Sequence, residues 1–214
     1  MARRTKEDAQ ATRTALLDAA ERVFQLRGVS RTSLSDIAQA AGVTRGALYW
    51  HFKDKAALFN AMMERVTLPL EGGLCLSGAA AAAADPVAEM RQGLVHALRQ
   101  IARDEQTRRV LEIATMMVEH IEELSAVRER HLQAQREHVE RLRTTLEEAS
   151  RQRGVRFQVP VQQLAQGLHA MMHGLIFSWL LEPDFDLETT GLNILDTFLH
   201  GIGLPPLGTA HNQG

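Results

Sequence analysis

Residues 44 to 55 carry the side chains with which proteins recognise DNA. Arginine forks onto guanine or grips a phosphate, and tyrosine and histidine reach phosphate oxygens. Arg45, Tyr49 and His51 supply these groups at helical spacing, while Gly46 and Ala47 let the backbone approach the bases closely. The sequence therefore predicts a DNA-reading surface in this run.

Basic and hydroxyl residues on either side extend the predicted DNA-binding set. Lys53 and Lys55 bracket Asp54, which we expect to cap the next helix and so to bring positive charge and free backbone amides together. Basic N-terminal segments also touch phosphate or the minor groove near a groove-reading helix. The complete set is Arg3, Arg4, Lys6, Thr32, Ser33, Thr44, Arg45, Gly46, Ala47, Tyr49, Trp50, His51, Lys53 and Lys55. The alternatives are a solvated tail at residues 2 to 12 and an incidental basic face.

The elements around these residues read as a helix-turn-helix. Apolar residues recur at helical spacing from 34 to 41, with Thr32 or Ser33 as the cap. Gly42 ends that helix and Thr44 caps the next, in which Leu48 and Phe52, four residues apart, face the core. In such a motif the second helix enters the major groove.

The rest of the chain predicts helices and no strands. Apolar periodicity gives about nine helices, at residues 9–27, 34–41, 45–52, 55–67, 87–103, 105–120, 124–153, 160–181 and 187–203. Pro69 is expected to stop or bend the fourth, and the Gly- and Ala-rich residues 71–86 to form a boundary region. The predicted fold is all-α, with an N-terminal three-helix DNA-binding domain and a C-terminal helical domain for ligand binding and dimerisation.

Charge is distributed unevenly along the 214 residues. Residues 1–55 hold ten Lys or Arg and six Asp or Glu, a net of +4, and the remaining residues hold 14 and 20, a net of −6. This asymmetry indicates a basic DNA-binding head on an acidic body. We predict a helix-turn-helix domain at 1–55, a link through the fourth helix at about 55–67, a body at 56–205 and a flexible tail at 206–214.

Cysteine content and hydropathy predict a cytoplasmic protein. Cys75 is the single cysteine, which excludes an intramolecular disulfide and a zinc site of several cysteines. The N-terminus lacks the apolar core of a signal peptide. The most apolar stretch, residues 164–181, is interrupted by polar residues such as Gln166 and His169, which favours a buried helix over a membrane span.

Residues 3–66 resemble the DNA-binding domain of TetR-family repressors, and more narrowly the AcrR- and TtgR-like branch that controls multidrug efflux pumps. The resemblance lies in four spaced segments: RRTKEDAQATR at 3–13, AERVF at 20–24, RTSLSDIA at 31–38 and AGVTRGALYWHFKDK at 41–55. A lone helix-turn-helix pattern is a weak signal, but this run of spaced matches is specific.

The resemblance implies a homodimer in which the last two long helices of each subunit form a four-helix bundle. The sequence agrees, since these helices hold more apolar surface than one subunit buries by itself. The predicted interface residues are Leu168, Leu175, Ser178, Trp179, Leu181, Leu192, Leu195, Phe198 and Leu199. The alternative is ordinary core packing. A dimer reads a palindromic operator, so every contact is doubled.

The resemblance also implies that the body holds a small hydrophobic or aromatic inducer. Residues 107–113 and 173–181 resemble the corresponding helices of this branch loosely. The candidate lining residues combine flexible apolar groups with a few polar ones: Met90, Leu94, Leu111, Thr115, Met116, Val139, His169, Met172, His173 and Phe177. For each of them, plain core packing is the alternative.

A metal site and an enzyme activity are both disfavoured. His169 and His173, at i and i+4, suit a metal only with His96, His120 or a carboxylate as further ligands, and the nearest acid, Glu182, lies nine positions beyond His173. No nucleophile elbow, phosphate loop or paired carboxylates occur. We predict no metal, no cofactor and no catalysis.

The predicted function is a ligand-responsive transcriptional repressor. It binds a palindromic operator as a dimer, is released by small hydrophobic compounds, and controls a multidrug efflux operon. Ligand in the body is expected to shift the fourth helix and swing the two heads out of register with successive major grooves. The alternatives are a transcriptional activator, a regulator of a catabolic or metabolic operon with a specific ligand, and a constitutive architectural protein.

Overall fold

The computed structural model describes residues 2–72, 85–117 and 125–205, with side chains at 6–67, 85–117 and 125–205. Over these residues the chain forms nine α-helices and no strand, which confirms the all-α prediction. The helices are α1 (Ala2–Arg27), α2 (Leu34–Ala40), α3 (Arg45–His51), α4 (Lys55–Gly72), α5 (Pro86–Arg103), α6 (Glu105–Met116), α7 (Ser125–Arg153), α8 (Val161–Leu181) and α9 (Leu187–Gly201). Within the described segments, no helix combines the length and apolar character that a membrane span requires.

Short-range signals set the ends of the N-terminal helices. Ser33 caps α2 in a capping box, in which its Oγ accepts from the Asp36 amide and its own amide donates to Asp36 Oδ2. Gly42 follows α2 with φ +69°, a left-handed backbone that favours glycine. Thr44 Oγ1 then accepts from the Ala47 amide at 3.1 Å and caps α3, as predicted.

The helix boundaries that differ most from the predictions are the start of α1 and the end of α4. α1 begins at Ala2 instead of residue 9, because the charged residues ahead of the apolar periodicity are themselves good helix formers. α4 continues past Pro69 to Gly72, because proline removes one backbone donor without preventing the residues after it from remaining helical. The predictions for most of the 71–86 region, Cys75, His120 and the 206–214 tail lie outside the described residues.

The chain divides into two compact units, of which the first is Met1–Leu68 with Glu105–Leu132. Its core joins α1, α2, α3 and α4 around Phe24, Leu48 and Phe59. Val110 and Ile113 of α6 lie in the same core, although the predicted division places α6 in the second domain. Helix α6 therefore packs with the helices that carry most of the predicted DNA-binding residues.

A buried polar network ties three helices of this unit together. Glu21 on α1 is 1% exposed and accepts from Gln106 Nε2 on α6 at 2.9 Å. Arg65 on α4 and Arg109 on α6 approach the same carboxylate at 3.5 and 3.8 Å. Burial raises the pKa of Glu21, opposed by the Gln106 hydrogen bond and the two arginines. Replacing Glu21 with an apolar residue would leave the Gln106 amide without this acceptor, whereas Arg65 would keep its ion pair with Asp18 at 2.6 Å.

The second unit comprises Pro69–Asp104 and Gln133–Gly214, and its core is built from α5, α7, α8 and α9. Three arginine–carboxylate pairs fasten its helices: Arg91 to Asp196 at 2.9 Å, Arg99 to Glu188 at 2.6 Å and Arg153 to Asp85 at 2.7 Å. Gly191 lets α9 approach α5 closely, since a Cβ there would lie 2.3 Å from Leu98 Cδ1. The first two pairs and this close approach fix α5 against α9, and the third pair joins the end of α7 to the start of α5.

Candidate nucleic-acid interface

Helix α3 buries one face and exposes the other. Leu48 is fully buried in the first core and Phe52, directly after the helix, is buried beside it. Tyr49 is 44% exposed and Trp50 is 74% exposed. Large aromatic side chains rarely remain this exposed without a partner, so this face is suited to contact with a ligand as large as a DNA groove.

The Arg45 side chain is held over the Tyr49 ring. Its guanidinium carbon lies 5.3 Å from the ring centroid and its Nη2 donates to Tyr49 Oη at 3.3 Å. Both residues are exposed, so the pair reaches outward from α3 as one group. Tyr49 thereby restricts the guanidinium fork that would bind a guanine or a phosphate.

A basic cavity of about 490 Å³ lies beside this pair. Its lining comes from the loop before α2, the start of α2, α3 and the turn before α4: Ser30, Arg31, Thr32, Ser33, Leu34, Ser35, Arg45, Tyr49, Lys53, Asp54 and Lys55. Four of these residues are basic and one is acidic, and Asp54 Oδ1 is engaged by the Ala57 amide at 2.6 Å as the predicted cap. The cavity is therefore suited to a phosphate.

Two residues of the predicted DNA-binding set point inward. Lys55 is 6% exposed, and its Nζ donates to the carbonyls of Val29 and Ser30 at 3.1 and 3.2 Å. Thr32 is also buried, and its Oγ1 donates to the Gly28 carbonyl at 2.8 Å. Both side chains shape the loop before α2, so their part in DNA contact would be to position its backbone.

The other predicted DNA-binding residues with described side chains are exposed or half-buried. Lys6, Ser33, Thr44, Gly46 and Lys53 are exposed, and Ala47 and His51 are half-buried. Arg3 and Arg4 lie in the first turns of α1, and their side chains are outside the described set.

Two arginines that the sequence analysis did not select also lie beside residues of this candidate interface. Arg31 lines the basic cavity. Arg13 on α1 lies over the Phe52 ring at 5.2 Å from its centroid. Burial and then the charge of Arg13 lower the pKa of His51, so that this imidazole is neutral at pH 7 and would meet DNA as a hydrogen-bonding group. Because Arg31 lies next to the predicted capping residues, its position in the sequence could have marked it as a candidate for DNA contact.

The predicted ligand-lining residues fall into both units. Leu111, Thr115 and Met116 belong to the first. The second holds Met90, Leu94, Val139, His169, Met172, His173 and Phe177, and the first three with Met172 belong to its core or pack against it. Phe177 instead is exposed on α8.

The predicted interface residues are similarly divided. Leu168, Leu195 and Leu199 are buried in the second core, and Phe198 packs against it. Trp179 is buried, with its Nε1 donating to the Phe185 carbonyl at 3.0 Å. Leu175 and Leu192 are half-buried, whereas Ser178 and Leu181 are exposed. The buried members therefore pack in the interior of the second unit, and Ser178 and Leu181 lie on its surface.

Three histidines of the second unit lie close together. The rings of His138 on α7 and His169 on α8 are 5.2 Å apart, and those of His169 and His173 are 6.0 Å apart. Burial and then the neighbouring His169 and Arg141 lower the pKa of His138 from 6.5 to about 4. Within the described segments, no three His, Cys, Asp or Glu side chains are arranged to hold a metal ion.

The depressed pKa of His138 predicts an acid-sensitive fold. Between pH 6.5 and 4 the unfolded chain binds a proton at this site and the folded chain does not, so stability falls as the pH falls. We expect about 2 kcal/mol of the free energy of unfolding to be lost between pH 7.5 and 5 through this group. In urea unfolding, this decrease in the free energy of unfolding should be smaller in His138→Gln than in the wild type. It should be unchanged in His200→Gln, which removes an exposed histidine of α9. Equal losses in both variants would contradict the assignment.

Comparison with known proteins assigns the chain to a class. Residues 16–62 match the model of bacterial regulatory proteins of the tetR family, and residues 85–203 match the C-terminal region of MAATS-type transcriptional repressors. The helix-turn-helix of α2 and α3 falls within the first match, and the second unit's core, apart from Leu204, falls within the second. The chain therefore belongs to the TetR family of transcriptional regulators.

Relatives extend over nearly the whole chain. The HTH-type transcriptional regulator TtgR of Pseudomonas putida is 36% identical over 207 residues, 96% of this chain and 98% of TtgR. NalD, the secondary repressor of the MexAB-OprM multidrug efflux pump in Pseudomonas aeruginosa, superposes with a TM-score of 0.80 at 35% identity, covering 92% of this chain and 98% of NalD. SmeT, the Stenotrophomonas maltophilia repressor of the SmeDEF pump, was solved with triclosan; that structure has a TM-score of 0.76 at 32% identity and coverages of 89% and 91%.

Proposed function

We propose that this protein is a homodimeric repressor of a multidrug efflux operon. It binds a palindromic operator through α3 and releases it when a small hydrophobic or aromatic compound binds the body. The observation that carries the proposal is the outward Arg45–Tyr49 pair beside a basic cavity. This pair lies on a helix-turn-helix whose two helices are both capped and packed in the first unit's core. Full-length similarity to regulators of efflux pumps supports the choice of operon. Acting on operator DNA, the protein would work in the cytoplasm.

DNA contact is proposed for the exposed part of the predicted set. Arg45 would read a base edge, with the small Gly46 and Ala47 allowing close approach. A backbone phosphate would lie in the basic cavity against Arg31 and Lys53. The buried Lys55 would act by holding the carbonyls of the loop that forms one wall of this cavity.

The partner subunit is proposed to cover the outward face of α8 and α9. On α8 this face is a helical stripe of small and apolar residues: Gly167, Ala170, Met171, Gly174, Phe177, Ser178 and Leu181. Leu181 is 59% exposed, and neither Gly167 nor Gly174 has a side-chain neighbour within 4 Å of an added Cβ. On α9, Asn193, Thr197 and Gly201 are exposed at four-residue spacing. Small residues let two helices pack closely, and the apolar ones gain from burial.

Ligand binding is proposed for the second unit, whose predicted lining residues border its core. Met90 and Met172 are flexible apolar groups suited to several ligand shapes, and His169 and His173 add polar contacts. Helices α4 and α7 each contain residues of both units, so a shift of either helix would transmit ligand binding to α3.

Footprinting on the DNA upstream of the protein's own gene tests this function. We expect protection of a palindrome, and loss of protection on adding triclosan, the compound that SmeT binds. Protection that no hydrophobic compound relieves would indicate a constitutive DNA-binding protein. Transcription that rises when the protein binds would indicate an activator.

A further inference from the structure

One arginine of the first unit lies between two carboxylates of a neighbouring helix. Arg65 Nη1 on α4 is 2.6 Å from Asp18 Oδ1 and 3.5 Å from Glu21 Oε1, and both acids belong to α1. The acids are three residues apart in the sequence, so they lie on the same side of α1 about one turn from each other. The same nitrogen therefore has two alternative acidic partners, and in the structure it is closer to Asp18.

The two carboxylates differ in their surroundings. The Asp18 side chain is 40% exposed and the Glu21 side chain is 2% exposed. Water weakens an ion pair with Asp18, whereas a pair with the buried Glu21 lies in a less polar medium and is stronger. Glu21, however, already accepts from Gln106 Nε2 at 2.9 Å and lies 3.8 Å from Arg109 Nη1. These effects oppose one another, so the two arrangements of Arg65 are expected to be similar in free energy.

A change of partner requires only a small displacement of α4 against α1. Arg65 Nη1 would have to move toward Glu21 by about 1 Å, the difference between the two distances. Shifts of about 1–2 Å between packed helices are typical of proteins that change between two states. Gln106 on α6 holds the Glu21 carboxylate, so this partner would stay in place while α4 moves.

Helix α4 is also suited to receive such a displacement. Arg65 lies in the part of α4 that belongs to the first unit, and residues Pro69 to Gly72 at the end of the same helix belong to the second. Helix α1, which carries both acids, packs with α2 and α3 in the first core around Phe24 and Leu48. The position of α4 against α1 therefore bears on the position of the DNA-reading helix.

We propose that Arg65 is a two-position switch, paired with Asp18 in one state of the repressor and with Glu21 in the other. One of these states binds the operator and the other releases it. This inference rests on the proposed function, in which a shift of α4 follows ligand binding. Asp18, Glu21 and Arg65 would act as positioning residues that set the balance between the states, a role that requires no contact with DNA or ligand.

Single substitutions of the two acids test this inference on the full-length protein. Asp18→Asn leaves Glu21 as the acidic partner of Arg65. Glu21→Gln leaves Asp18 and keeps an oxygen that accepts from Gln106. We expect the operator affinity without ligand to change by about threefold in each variant, and in opposite directions. Acids that only stabilised the fold would lower the affinity in both variants.

Triclosan, the compound that SmeT binds, provides the second measurement on the same variants. The triclosan concentration for half release of the operator should rise in the variant that binds the operator more tightly and fall in the other, because ligand and operator then favour different states. The direction of each change identifies which partner of Arg65 belongs to the operator-binding state.

Arg65→Met and Glu129→Gln are the controls. Arg65→Met removes the side chain that changes partner, so in this background the two acid substitutions should no longer alter the affinity in opposite directions. Glu129 is an exposed carboxylate of α7 in the same unit. Its replacement changes the net charge equally and should leave the operator affinity unchanged.

The Nε–Hε signal of Arg65 in ¹H–¹⁵N spectra follows the switch without DNA. It should move in one direction in Asp18→Asn and in the opposite direction in Glu21→Gln. Arg109→Met removes the other arginine near Glu21 and should move the signal in the same direction as Asp18→Asn. Asp18 and Arg109 are both partly exposed, so this comparison stands even where the buried Glu21 variant folds poorly.

These measurements separate the inference from the proposed function. If the wild-type protein releases its operator with triclosan while the two acid variants change the affinity in the same direction or not at all, the switch is wrong and the repressor function stands. If no operator is protected while the Arg65 signal moves in opposite directions, the repressor function is wrong and the two positions of Arg65 stand. An Arg65 signal that is unchanged in Asp18→Asn would overturn the inference by itself.

Discussion

Replacing Arg45 with alanine is expected to remove specific operator binding while leaving folding intact. The side chain is exposed and bonds only to Tyr49 among the contacts seen, so its loss disturbs no core packing. A bidentate arginine–guanine pair contributes about 1–3 kcal/mol of discrimination. A dimer on a palindrome loses this pair in both half-sites, so the variant should lose about 2–6 kcal/mol of binding free energy. This loss corresponds to a decrease in operator affinity of about 30-fold to more than about 10⁴-fold.

Fluorescence anisotropy with the footprinted operator measures this change, and Arg151→Ala is its control. Arg151 is an exposed arginine of α7 in the second unit, paired with Glu148, so its removal changes the net charge equally without touching α3. Thermal unfolding of both variants should match the wild type. An operator affinity within threefold of the wild type in Arg45→Ala would remove α3 as the reading helix.

Tyr49→Phe refines that result. The ring that carries the Arg45 guanidinium remains, and only the hydroxyl that accepts its hydrogen bond is lost. We expect a smaller decrease in operator affinity than for Arg45→Ala, because Arg45 still extends from α3 and only the orientation of its guanidinium is less restricted. The ratio of the two effects reports how far Tyr49 orients Arg45 and how far it contacts phosphate itself.

The helix-turn-helix was predictable because its signals are local. A capping residue and the apolar positions of one helix lie within a few residues of each other, so Thr44 and Leu48 could be assigned from spacing alone and the cap of α2 could be narrowed to Thr32 or Ser33, of which the structure shows Ser33. The same holds for the all-α class and for most helix boundaries, which depend on caps, prolines and glycines.

The inward direction of Lys55 was not predictable from spacing. Its partners, the carbonyls of Val29 and Ser30, lie 26 and 25 residues away, and only the packed first unit brings them together. Next to Lys53, with the same charge, Lys55 has no local feature that marks it as buried. The packing of α6 against α1 through Gln106 and Glu21 is likewise a contact between distant segments.

The orientation of helix α8 could not be predicted from its hydrophobic periodicity. Apolar or small residues occupy most sides of this helix, so its sequence does not reveal which side faces its own subunit. In the structure Leu164, Leu168 and Trp179 face inward, while Ala170 and Gly174 face outward. A helix that is apolar on most sides is typical of one buried on both sides, here by its own subunit and, as we propose, by a partner.

Gly174→Glu is expected to convert the protein to monomers and, through that, to abolish operator binding. The position is exposed within α8 and an added Cβ meets nothing within 4 Å, so the subunit has room for the side chain. Glutamate is also a better helix former than glycine by roughly 0.5–1 kcal/mol, so the isolated subunit should not be destabilised. In a closely packed two-fold interface, however, the substitution buries two like charges near the symmetry axis without partners.

Analytical ultracentrifugation at micromolar concentration distinguishes the monomer from the dimer. The control variant is Gln162→Glu. Gln162 is exposed on the same helix but lies roughly a third of a turn away around its axis, so it introduces the same charge outside the proposed contact. A monomer binds one half-site and loses the doubled contacts of the palindrome, so Gly174→Glu should fail to protect the operator with α3 unchanged. A dimeric Gly174→Glu with normal operator affinity would show that the stripe along α8 is not the interface, and that the partner subunit binds elsewhere on the second unit.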